Sequence, residues 1–259
     1  LMEAGLKGLR LGKPVLVWKT ATTEAGAKAA QSHTANMTGR ADLYRAAFRQ
    51  SGIVEVDDVE PIVDIAKVFA QGRLPKGRTA GVLSISGGSG IVYADRATRE
   101  GLLLPKFSDA TVAALAKIIP AFGSSENPAD VTASFFNDIG LLTKTLEIVL
   151  ADPGIDQLSI LLASVPGLPA KRAAEAIVAA AAKTDKPVHL SWSGRRAKSE
   201  EAYALLEAAQ IPIISTPVRL AQAAAVLARF AEDRKRLLNR EAPAVVMPQV
   251  PVLPTLRSA

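Results

Sequence analysis

The sequence predicts an α/β protein built on doubly wound parallel sheets, with one complete domain and one partial one. Two observations carry this. From Thr79 onward, short apolar β-rich runs alternate with helical stretches, the pattern of a parallel sheet covered on both faces. Alanine runs such as Ala179-Ala180-Ala181-Ala182, with an aromatic content of only 5%, suit thin helices lying close on a sheet. At 259 residues and 49% hydrophobic content, the chain is long enough for one large core or two smaller ones.

The elements follow in order. Pro14 to Trp18 reads as a strand, Lys19 to Thr38 as a polar stretch, Arg40 to Ser51 as a helix, Ile53 to Val56 as a strand and Val59 to Ala70 as a helix. The Asp57-Asp58 pair is read as the start signal of that last helix. Two strands do not make a stable sheet alone, so residues 1–72 are expected to be the C-terminal part of a domain. Leu1 in place of an initiator methionine fits that expectation. Gln71 to Arg78 is a polar Gly/Pro stretch suited to a linker.

Strands are then expected at Thr79 to Ser86, Leu102 to Leu104, Gln157 to Ser164, Pro187 to Trp192 and Ile211 to Ser215. Helices are expected at Ile91 to Glu100, Asp109 to Ile119, Asp138 to Ala151, Ala170 to Lys183, Ser199 to Ala209 and Val218 to Leu238. Five strands with these crossovers give a flavodoxin-like domain over residues 79–238. Residues 239–259, with Pro243, Pro248, Pro251 and Pro254, read as an extended linker with something beyond it.

Composition narrows the function. Cysteine is absent and there are two histidines, so disulfides, thiolate metal sites and a histidine zinc site are not expected, and the compartment is expected to be cytoplasmic. No apolar run reaches membrane-spanning length, and the first residues lack a signal-peptide pattern. Thirty-one basic residues against twenty-five acidic ones give a net charge of +6. The basic residues are dispersed, clustering only at Asp233-Arg234-Lys235-Arg236 and without interleaved aromatics, so nucleic acid is not the expected partner.

Three stretches carry candidate chemistry. In Gln31-Ser32-His33-Thr34-Ala35, a histidine flanked by hydroxyls in a polar loop after a strand can offer a ring nitrogen to a phosphoryl group. By composition alone it reads more readily as a surface histidine in a Ser/Thr-rich loop. In Ser84-Ile85-Ser86-Gly87-Gly88-Ser89-Gly90, glycines at a strand-to-helix turn expose amides beside a helix N-terminus, a cradle for an anion. The other reading is the ordinary first turn of a doubly wound sheet. In Glu126-Asn127-Pro128-Ala129-Asp130-Val131-Thr132, Pro128 holds Asn127 extended, and Asp130 or Thr132 can turn towards a ligand or simply lead into a helix. His189 alternates with apolar neighbours and reads as a satisfied core histidine. The turn lacks the Gly-Lys-Ser/Thr of a P-loop and the dinucleotide glycine spacing, and Ile91 stands where an esterase elbow needs glycine.

In this order, the three stretches resemble the NDP-forming acyl-CoA synthetases, the superfamily of ADP-forming acetyl-CoA synthetase and succinyl-CoA synthetase. The resemblance covers roughly residues 4–238. It includes the Lys-Pro-Val strand at Lys13, the Leu43 to Gln50 helix and Val56-Asp57-Asp58. It implies that His33 carries the phosphoryl group, with Ser32 and Thr34 beside it. It also implies that the helix after Ser86, Gly87, Gly88, Ser89 and Gly90 holds the phosphohistidine. The reaction implied joins a carboxylic acid to CoA at the expense of ATP, with Mg, through acyl phosphate. Ala35 and Asn36 depart from the Gly and Ala of many members. The CoA-binding and ATP-grasp domains are expected elsewhere on the polypeptide or on another subunit, so this chain alone is expected to be inactive. Pairing of a truncated sheet edge with a second copy is a further expectation. The alternative is a non-catalytic flavodoxin-like interaction or ligand-sensing module.

Overall fold

Apolar β-branched runs set the positions of the central strands, and the helices between them are long enough to cross back over the sheet. In the computed structural model the described residues are 1–34, 39–136 and 138–239, without the side chains of Ser32, His33 and Thr34. Residues 240–259 of the expected linker lie outside them, as do Ala35 and Asn36.

The larger sheet contains β3 (Ala80–Ser84), β4 (Ala129–Asp130), β5 (Gln157–Leu162), β6 (Val188–Trp192) and β7 (Ile213–Ile214). All pairings are parallel and the order is β4-β3-β5-β6-β7, the flavodoxin-like order. Every residue of β3, β5 and β6 is buried. One face is covered by α6 (Asp109–Ala116), α7 (Ile139–Ala151), α8 (Gly167–Ala181) and α9 (Glu200–Ala208), and the other by α5 (Gly87–Arg99) and α10 (Pro217–Leu238).

The smaller sheet pairs β1 (Leu16–Trp18) with β2 (Val54–Val56) in parallel. Helices α1 (Met2–Leu11), α2 (Glu24–Thr34), α3 (Ala41–Ser51) and α4 (Val59–Ala70) accompany it. Helix α10 joins the two sheets. Its Val226 packs with Val56 and Ile65, Phe230 meets Phe69 edge-on at 5.0 Å, and Arg219 Nε donates to the buried Asp64 carboxylate at 2.6 Å. Arg234 Nε donates to Leu9 O at the end of α1, 2.7 Å away.

The structure corrects three expectations. Leu102 to Leu104 is not a strand: it meets β3 in a single bridge, Thr79 to Leu103, and the edge strand is the two-residue β4. Residues 24–34 are helix and not irregular. Alanine at 25, 27, 29 and 30 favours helix, and Thr23 Oγ1 accepts from Gly26 N–H at 3.1 Å to start it. His189 is buried as expected but not satisfied, since neither ring nitrogen has a hydrogen-bond partner among the described residues. It shares the α5/α10 face of the sheet with Ser159, whose Oγ lies 2.7 Å from Tyr93 Oη.

Burial lowers the His189 pKa from 6.5 to about 4. The folded protein therefore resists a proton that the unfolded chain takes up below about 6.5. The stability tied to this group is complete above pH 6.5 and falls as pH drops towards 4, by about 3 kcal/mol at most. Urea unfolding at pH 7 and pH 4.5 should show a smaller loss for His189→Leu than for the wild type. Equal losses would place the acid sensitivity elsewhere.

Candidate functional site

Ligands of open parallel sheets bind at the carboxyl ends of the strands, and the larger sheet brings two of the candidate stretches together there. Strand β3 ends at Ser84, whose hydroxyl donates to Ser86 O at 2.6 Å and accepts from Ser86 N–H at 3.0 Å. This tight turn delivers the chain into α5 at Gly87. Ser86 occupies the N-cap position but its side chain makes no capping bond. The amides of Gly87, Gly88 and Ser89 have no acceptor within the helix, and the first i→i−4 bond runs from Gly90 N–H to Ser86 O. Gly87 and Gly88 are exposed. A Cβ on Gly88 would meet nothing within 4 Å, so packing within the chain does not require glycine there.

The wall beside this turn is the segment from Asn127 to Thr132. Pro128 lies against Gly90, 3.5 Å from where a Cβ would sit, and Asp130 Oδ2 stands 3.2 Å from the Cβ position of Gly87. Asp130 Oδ1 accepts from Thr132 N–H at 2.8 Å, and Thr132 has φ 58°, a conformation that costs a β-branched residue about 1–3 kcal/mol. The carboxamide of Asn127 is taken up by backbone groups: its Oδ1 accepts from Val82 N–H, and its Nδ2 donates to Ala80 O and Pro105 O, each at 2.9 Å.

His33 belongs to the last described turn of α2. The side chains of Ser32, His33 and Thr34 lie outside the described residues. A cavity of about 760 Å³ opens at the carboxyl ends of β1 and β2, between α4 and α10. Of the candidate residues whose side chains are described, Ser86 to Gly90, Asn127, Asp130 and Thr132, none lines it. Three of the arginines lining it are matched to carboxylates: Arg219 to Asp64 at 2.6 Å, Arg96 to Glu100 at 2.7 Å and Arg45 to Glu55 at 3.5 Å. Among the described residues no group of three His, Cys, Asp or Glu side chains is placed to hold a metal ion. What the α5 turn offers is neutral N–H donors and a helix N-terminus, suited to an anion bound through its oxygens.

The family described as "Ligase-CoA domain" matches residues 81–235, and "Succinyl-CoA ligase like flavodoxin domain" matches residues 2–69. The chain belongs to the Ligase-CoA family. Among the relatives of this Ligase-CoA chain is subunit alpha of the ADP-forming acetate–CoA ligase II of Pyrococcus furiosus, 33% identical over 85% of this chain and 48% of the relative. Another is the ADP-forming acetate–CoA ligase I of Archaeoglobus fulgidus, 31% identical over 89% of this chain and 33% of the relative. The chain thus spans a third to a half of these relatives' length. The solved dinucleotide-forming acetyl-coenzyme A synthetase 1 of Ca. Korarchaeum cryptofilum, in complex with phosphate and ADP, superposes with a TM-score of 0.80. It is 29% identical and covers 92% of this chain, which spans 51% of it.

Removing the Asn127 carboxamide strands a donor and an acceptor of β3. Asn127→Ala should cost about 3 kcal/mol in urea unfolding, and Asn127→Asp should do no better, because a carboxylate would face two carbonyl oxygens. A loss below about 1 kcal/mol would show that the edge closes without it.

Proposed function

We propose that this chain is part of an ADP-forming acyl-CoA synthetase, joining a carboxylic acid to CoA with ATP, with His33 as the phosphoryl carrier. The observation that supports it most is the first turn of α5: in a Ligase-CoA chain, Gly87, Gly88 and Ser89 offer amides and no side-chain cap at the carboxyl edge of the sheet. Such a turn suits the oxygens of a phosphoryl group on nitrogen.

In this reading a ring nitrogen of His33 attacks the γ-phosphorus of ATP, the P–O bond to ADP breaks, and ADP leaves with the electron pair. The phosphoryl group then passes to an oxygen of the carboxylate, the N–P bond breaking as the new P–O bond forms. The CoA thiolate attacks the acyl carbon of the acyl phosphate, and inorganic phosphate leaves. Ser32 and Thr34 supply hydroxyls near the imidazole, and Ser86 to Gly90 neutralise charge on the transferring oxygens. Asp130 and Thr132 border that cradle. CoA-binding and ATP-grasp units belong to the rest of the polypeptide or to a partner subunit, and Mg arrives with the nucleotide. The acid is a small carboxylate. A cytoplasmic setting accords with this chemistry, and among the described residues no helix is long and apolar enough to cross a membrane.

The test uses the full-length protein. Labelled ATP should place acid-labile, base-stable phosphate on the wild type and none on His33→Ala. Gly88→Ala should melt no lower than the wild type, since alanine is the better helix former by about 1 kcal/mol, yet transfer phosphate at least about tenfold more slowly. A folded wild type that takes up no label, or a His33→Ala protein labelled like the wild type, would favour a non-catalytic module instead.

A further inference from the structure

We draw no further inference here: the strongest candidate, the cavity of about 760 Å³ that the carboxyl ends of β1 and β2 share with α4, α5 and α10, carries nothing, because three of the arginines lining it are matched to carboxylates and nothing in the structure shows what fills or covers it.

Discussion

One carboxamide completes the outer edge of β3. A strand in a buried sheet must find partners for its N–H and C=O groups on both sides, and on this side β3 is offered only fragments. Leu103 bonds Arg78 O and Ala80 N–H at one end, and β4 supplies two residues at the other. Asn127 fills the interval, its side chain presenting to Ala80 O the donor and to Val82 N–H the acceptor that a strand backbone would. Because the same residue also holds Pro105 O, it fixes the chain on both sides of the α6 excursion. Everything at the carboxyl edge follows: β3 runs straight to Ser84, α5 starts at Gly87, and Asp130 comes to rest beside it.

Much of this was legible in the sequence, for a physical reason. The central strands are apolar runs long enough to show their burial, and the helices between them carry a clear period, so the count and class of the larger sheet could be read directly. The edge could not. Leu102 to Leu104 is as apolar as a strand, whereas β4 has two residues, too few for any period, and its partner is a side chain. Helix α1 was missed because Gly5 and Gly8 weigh against helix. In the fold they are the points where Ser51 O and Lys13 O approach within 2.6 Å of a Cβ position. The cleft between α4 and α10 draws on residues from Trp18 to Arg229, and no local pattern announces it.

The two sheets are not merely strung together by the Gly72 linker. Helix α10 follows the last strand of the larger sheet and runs along α4 to α1: Arg219 in its first turn meets Asp64, Phe230 meets Phe69, and Arg234 reaches the carbonyl of Leu9. The Arg219–Asp64 pair is buried on its acidic side, so it contributes registry more than net stability. It requires α4 and α10 to meet at one setting. The candidate turn on α5 is thus attached through α10 to the same frame as α4 and α1.

The face that α10 turns to the larger sheet is built from Ala221, Ala224, Ala225 and Ala228, all almost wholly buried. Alanine has little left to delete, so random change at these positions rarely opens a cavity. Nearly every substitution adds volume and meets a sheet that cannot retreat. The interface is therefore asymmetric in its evolutionary tolerance. Its history should be one of paired exchanges, in which a larger residue on the helix is admitted only when a strand residue opposite has first become smaller.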